Sequence, residues 1–157
     1  MSSTPPAPPS PATPSGPAYS VRTPRLLLRC YEPSDAAPRL EAVASSGEHL
    51  HEFFPPQPEG PLTLGFHLAP LRKMRGNFDL DQDRAYAVVD PQTGRFLGEV
   101  GLLTRAGIAA REVGYWLRRD AIGQGLATET LLSTEYPHGP AHAVPIEAFD
   151  ILGQRIL

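Results

Sequence analysis

The chain is poor in cysteine, in lysine and in long apolar runs. Cysteine occurs once, at Cys30. A single thiol excludes an internal disulfide framework and a multi-cysteine metal site. Its place at the end of an apolar stretch reads as a buried thiol rather than a nucleophile. Lysine also occurs once, at Lys73, so 13 of the 14 basic residues are arginine. No run approaches the roughly 20 apolar residues that span a bilayer. The N-terminus has no apolar stretch behind a basic start, so it does not read as a secretory leader. A cytoplasmic location and no membrane partner are the expectations. Positive charge is not in surplus either: 14 Lys+Arg stand against 17 Asp+Glu, a formal net charge of -3. That balance speaks against a nucleic-acid partner held through phosphate contacts. No metal is expected. His138 and His142 are four apart, but Pro140 lies between them and no third ligand is evident.

What is present suffices for one domain. With 157 residues, 41% hydrophobic and 20% charged, the chain can bury a core. Residues 1–19 form a tail rich in Pro, Ser, Thr and Ala. Such a segment buries too little apolar surface to offset its chain entropy, so disorder is expected. A PxxP spacing within residues 5–9 leaves a docking peptide as the alternative.

Residues 20–31 read as one strand, with Leu26 and Leu28 on one face and Leu27 on the other. Pro33-Ser34-Asp35 stops it and caps a helix over 35–45, which Gly47 ends. A short second helix is expected over 48–54, closed by Pro55-Pro56. Leu64, Leu68 and Leu71 have helical spacing within 63–75, but Gly65 and Pro70 predict a broken or kinked helix. Arg72-Lys73-Met74-Arg75 would be a basic cluster at its end, and 77–83 an acidic loop. Three strands follow, over 84–89, 95–103 and 111–117. A Pro–Gly turn over 90–94 joins the first two and a turn over 104–109 the next, which makes an antiparallel meander.

The stretch from Arg111 to Leu132 organises the rest. A strand over 111–117 is followed by a polar break, then Gly123-Gln124-Gly125, then helical spacing in Leu126, Thr130 and Leu131. The first N–H groups of a helix have no partner inside it, and the helix dipole adds partial positive charge there. Glycines let a phosphate oxygen come close to such a main chain. A Gly-x-Gly before a helix is equally the mark of a tight turn, so the pattern needs support from its neighbours.

That support is present. Gly114-Tyr115-Trp116-Leu117 followed by Gly123-Gln124-Gly125-Leu126-Ala127-Thr128-Glu129 resembles motif A of the GNAT acetyltransferases, in the branch that includes the RimJ/RimL ribosomal-protein N-acetyltransferases. The resemblance extends upstream through Thr23-Pro24-Arg25-Leu26-Leu27-Leu28-Arg29 and Phe96-Leu97-Gly98, and covers about 21–132.

The resemblance implies an α/β (α+β) fold, a mainly antiparallel twisted sheet with flanking helices. It implies acetyl-CoA as cosubstrate, a primary amine as acceptor (a protein N-terminus or a small molecule), and direct transfer. Main-chain groups of Trp116, Leu117 and Arg118 would pair with pantetheine where the strand splays from the next. The N–H groups of Ile122, Gly123, Gln124, Gly125, Leu126, Ala127 and Thr128 would hold the pyrophosphate. Arg118 and Arg119 would add charge or face solvent. A strand N–H near Trp116 would polarise the thioester carbonyl. A protonated amine is not a nucleophile, so a proton acceptor is needed. Glu112 is the candidate, on the same face as Gly114 and Trp116, and Glu99 is the second choice. Phe53 and Phe54 would either line the acceptor pocket or pack in the core. Asp120 stands where many members carry Gln or Arg, and would repel phosphate if it pointed inward.

The family pattern stops after about Leu132. Residues 135–157 carry Pro137, Gly139, Pro140 and Pro145 and read as irregular, too short and too punctuated for the closing strands and helix. Tyr136 does not have the context of the family's tyrosine acid. The expectation is therefore a partial domain over 20–134 whose C-terminal half is missing or replaced, through truncation or a frame change. The strand over 111–117 would then keep an open edge that invites self-association. The rivals to an enzyme are an inactive fragment or a non-catalytic acyl-CoA-binding module, and an interaction module using the Pro-rich tail.

Overall fold

The computed structural model describes residues 17–51, 63–107, 110–135 and 146–148. Among them are six strands and three α-helices: β1 (Ser20–Arg22), β2 (Leu27–Cys30), α1 (Ala36–His51), α2 (Leu64–Asp79), β3 (Arg84–Val89), β4 (Phe96–Leu103), β5 (Arg111–Leu117), α3 (Leu126–Glu135) and β6 (Ile146–Ala148). The strands form one sheet in sequence order. Pairing is antiparallel from β1 to β5 and parallel between β5 and β6.

Strand periodicity sorts the core into two layers. On one face Leu28, Tyr86, Val88, Val100, Leu102, Val113 and Leu117 pack with Leu126 of α3. On the other, Ala85, Ala87, Val89, Phe96 and Trp116 pack with Ala42 and Leu50 of α1 and Leu71 of α2. β3 is buried at all six positions, its alternate residues entering the two core layers. The register places Glu99, Gly101 and Leu103 of β4 opposite Trp116, Gly114 and Glu112 of β5, so these six share the α1/α2 face. Gly98 is required where β4 and β5 come together: a Cβ there would lie 2.1 Å from the Trp116 carbonyl oxygen.

Four sequence expectations are corrected. Residues 20–31 are not one strand but a hairpin of β1 and β2, turned where Thr23 Oγ1 accepts the N–H of Leu26 at 2.8 Å and Thr23 N donates to Leu26 O at 2.9 Å. The tail does not run to residue 19: Ala18 O accepts from the Tyr86 hydroxyl at 3.0 Å, and the Tyr19 hydroxyl donates to Asp79 at 2.6 Å. α2 is unbroken across Pro70, which faces outward, and it absorbs the start of the expected acidic loop. Thr63 caps it by accepting from Phe66 N. Finally, residues 146–148 are not irregular. They pair with Arg111, Glu112 and Val113, so that part of the β5 edge is not open. An edge strand offers a ready row of main-chain partners, and such tertiary pairing overrides a weak local signal.

The helix read over 35–45 is α1, preceded by a 3-10 turn over Pro33–Asp35 and kinked at Gly47, where φ is 24°. The Phe53 and Phe54 expectation lies outside the described residues, as do Tyr136, His138 and His142.

Candidate functional site

β5 delivers the chain into the glycine loop through a short staple. Arg118 is extended, and Arg119–Ala121 form a 3-10 turn closed by Ala121 N donating to Arg118 O at 2.9 Å. Gly123 and Gly125 then take φ of 74° and 77°, a region that favours glycine. α3 begins at Leu126. The main-chain N–H groups from Ile122 to Thr128 have no acceptor among the described residues, and 122–125 are exposed. A row of unpartnered amides at a helix start, free of Cβ atoms at two positions, has the geometry that can accept an anion.

Both arms of this loop are fastened by charge. On the trailing side Glu129, one turn into α3, accepts from Thr23 Oγ1, from Arg25 N at 2.9 Å and from Arg25 Nε at 2.7 Å. Arg25 Nη1 donates to Gln124 O at 2.8 Å, so the β1–β2 turn braces the glycine loop. On the leading side the Arg118 guanidinium is bound in two places to Glu41 of α1, at 2.8 and 3.0 Å, and to Asp120 at 2.8 Å.

Asp120 also pairs with Arg95. The guanidinium of Arg95, with that of Arg118, holds its carboxyl below the usual range against the opposing effect of desolvation. The carboxylate is thus engaged by two cations. The Arg118 side chain, for its part, is not directed at a ligand. Its N–H donates to Leu97 O at 2.8 Å, closing the end of the β4–β5 pairing. By strand alternation Leu117 turns its main-chain groups away from β4. Of the three positions expected to meet pantetheine, the Arg118 N–H is already used within the sheet.

The α1/α2 face carries both candidate carboxylates. Glu112 lies on the same face as Gly114 and Trp116, as alternation required, and accepts from Arg105 Nη2 at 2.8 Å. Arg105 is two-thirds exposed, so the pair is weak. Above Gly114 the face is open: a Cβ built there meets nothing within 4 Å. Glu99, opposite Trp116, is more committed. One of its oxygens accepts from the Tyr31 hydroxyl at 2.6 Å and from Arg39 Nε at 3.0 Å. Desolvation, reinforced by the Glu99 charge, pushes the Tyr31 phenol well up, so it stays a donor. Arg39 Nη1 donates in turn to His67 Nδ1 at 3.0 Å, which leaves the His67 proton on Nε2. Cys30 is buried and its thiol is pushed up to about 11 by desolvation, which agrees with a structural role.

Residues 25–134, well over half of the chain, match the family model described as an acetyltransferase (GNAT) domain. The chain belongs to the GNAT acetyltransferase family. Solved structures show the same fold. A Vibrio cholerae protein assigned as a ribosomal-protein-serine acetyltransferase is 20% identical with a TM-score of 0.64, the match covering 75% of this chain and 65% of that one. The ribosomal-protein-S5-alanine acetyltransferase of Vibrio fischeri is 21% identical with a TM-score of 0.70, over 82% and 72% of the two chains. RimL, a ribosomal L7/L12 α-N-protein acetyltransferase solved with coenzyme A, is 15% identical with a TM-score of 0.61, over 73% and 64%. No curated protein matches in sequence. This GNAT chain thus spans about two thirds of the length of the first and last of these structures.

Sequence reasoning missed the residues that hold the loop. Thr23, Arg25 and Glu129 stood within the quoted motifs, but their contact spans more than 100 residues and has no local signature. Glu41 and Ser46 of α1 carried no motif at all.

Proposed function

We propose that this GNAT protein is an N-acetyltransferase that moves an acetyl group from acetyl-CoA to a primary amine, a protein N-terminus or a small molecule. The observation that carries the reading is the run of unpartnered amides over 122–128, exposed over 122–125, in the loop that leads from β5 into α3. Those amides would hold the diphosphate, and the Leu117 edge of β5 would pair with the pantetheine arm.

The thioester would then lie along β5 between Val113 and Trp116, with its carbonyl polarised by a strand N–H. The acceptor would approach over the α1/α2 face, where Gly114 leaves room. The neutral amine nitrogen attacks the thioester carbon, the C–S bond breaks, and the sulfur leaves as the coenzyme A thiolate, which takes its proton from solvent. Glu112 takes the amine proton, directly or through one water. Its partner Arg105 is exposed and readily displaced. Glu99 serves instead to hold Tyr31 and Arg39, the latter over the Trp116 ring. Transfer is direct, without an acyl-enzyme, and Cys30 takes no part. The ribosomal-protein acetyltransferases among the structural neighbours support a protein N-terminus as one acceptor class to test first.

The test is thiol release from acetyl-CoA with a panel of N-terminal peptides and small amines, paired with calorimetry of acetyl-CoA binding. Binding with amine-dependent release supports the proposal. Binding without turnover on any amine favours a non-catalytic acyl-CoA-binding module, and no binding removes both.

A further inference from the structure

We infer that Arg118 is a positioning residue: locked to α1 through Glu41, it sets where the 122–128 loop presents its amides to a diphosphate. The inference rests on reading that loop as the coenzyme A grip.

The geometry is unusual for an arginine beside an anion cradle. Its side chain is only 5% exposed, while its partners Glu41 and Asp120 are 61% and 53% exposed. The cation is inside and the carboxylates are outside. A guanidinium has five N–H donors, and here each has an acceptor. Nε donates to Asp120. Nη1 donates to Glu41 and, at 3.3 Å, to Phe96 O. Nη2 donates to Glu41 and, at 3.3 Å, to Ser45 Oγ. No donor is left for a ligand, so Arg118 acts through the position of the chain around it.

That chain is the leading arm of the loop. Asp120 O accepts from Gln124 Nε2 at 3.1 Å, and Arg119 N donates to Ser46 Oγ at 3.1 Å. Glu41 and Ser45 are four apart and so lie on one face of α1, with Ser46 beside them just before the Gly47 kink. Three positions of one helix therefore hold two consecutive residues of the chain, Arg118 and Arg119, and Arg118 in turn holds Asp120. With Arg25 and Glu129 fixing the trailing arm, the free amides are strung between two anchors. α1 packs against the sheet face that carries Trp116 and Gly114, so the helix on the acceptor side also locates the cradle on the other. Lysine cannot replace this arginine, because a point charge with three donors cannot satisfy the planar fork.

The experiment uses the full-length protein with Arg118→Lys. Coenzyme A binding is measured by calorimetry, and pantetheine, which lacks the diphosphate, by ligand-observed NMR. Arg118→Lys is expected to weaken coenzyme A about tenfold, since small misplacements of a preorganised site are costly, while pantetheine binding stays as in the wild type. Unchanged coenzyme A affinity overturns the inference, as does a loss of coenzyme A only in step with pantetheine. If Arg118→Lys does not fold by its melting curve, Glu41→Gln takes its place with the same readouts and a smaller expected loss, about threefold. A wild type that fails to bind coenzyme A sinks the functional reading itself, which no variant is needed to see.

Discussion

Arg25 and Glu129 meet at 2.7 Å across 104 residues of sequence, and their contact ties the β1–β2 turn to the first turn of α3. Glu129 also accepts from Thr23 Oγ1 and Arg25 N, so it supplies the acceptor that these turn donors would otherwise find in water. Glu129→Gln keeps the shape and loses the charge. It should cost about 1–2 kcal/mol, because charge-assisted hydrogen bonds are roughly twice as strong as neutral ones. The melting midpoint should fall by about 2–8 °C in calorimetry.

The same residue has an acid signature. Burial opposes ionisation of the Glu129 carboxyl, but donors from Thr23 and Arg25 outweigh it and hold its pKa below the ordinary 4.5. A folded pKa below the unfolded one gives stability that is complete above about 4.5 and lost as pH falls through the folded value. The gap in stability between wild type and Glu129→Gln should therefore be full at neutral pH and close in acid. A gap that stays constant down to pH 3 would contradict this.

Two glycines on the sheet should behave in opposite ways. Gly98→Ala forces a Cβ to within 2.1 Å of the Trp116 carbonyl oxygen and 2.9 Å of Leu117 Cα. Backbone cannot yield as a side-chain tip can, so the loss should be about 3 kcal/mol or more by urea denaturation. Gly114→Ala meets nothing within 4 Å, and its stability should change by less than about 1 kcal/mol. Turnover should nonetheless fall in Gly114→Ala, and further in Gly114→Val, because the added atoms occupy the space over β5 that the acceptor needs.

The two carboxylates separate chemistry from architecture. Glu112→Gln should lower kcat by about 10²–10⁴-fold, the usual worth of a general base, and leave acetyl-CoA binding unchanged. Arg105→Ala should cost less than about 1 kcal/mol of stability, as expected for an exposed pair. Glu99→Gln should instead destabilise the fold by about 2–3 kcal/mol, because Arg39 is left with its charge poorly matched in a buried site. Urea midpoints and steady-state rates on the three variants check the division.

His67 gives the fold a dependence near neutrality. Desolvation, with the Arg39 cation second, lowers its pKa below the ordinary 6.5. The unfolded chain then binds a proton that the folded one refuses, so this stability is present above about 6.5 and is lost as pH falls below it. His67→Leu should flatten the slope of stability between pH 7 and 5, read from urea midpoints at each pH. An unchanged slope would show that His67 does not carry it.

Local pattern sufficed for the part of the fold that is local. Arg84–Val89 and Arg111–Leu117 match their expected bounds because alternation and turn residues such as Gly94 act within a few positions. The helix start at Leu126 and the glycine loop before it were legible for the same reason. What failed depended on distant partners. The break between β1 and β2 is stabilised in part by Glu129. Pro70 looked like a breaker, yet it sits on the exposed side of α2, where a missing N–H is least costly. β6 has only three residues and exists by pairing with β5. Asp120 looked like a repulsive charge at the cradle because nothing in its neighbourhood announces Arg95.

The grip on the diphosphate is tested most directly by an amide-resolved NMR titration of the full chain with coenzyme A. The resonances of Gly123, Gly125, Leu126, Ala127 and Thr128 should shift together at the binding stoichiometry, and pantetheine alone should leave them in place. Coenzyme A that binds while those five amides stay unmoved would contradict the assignment of the 122–128 loop.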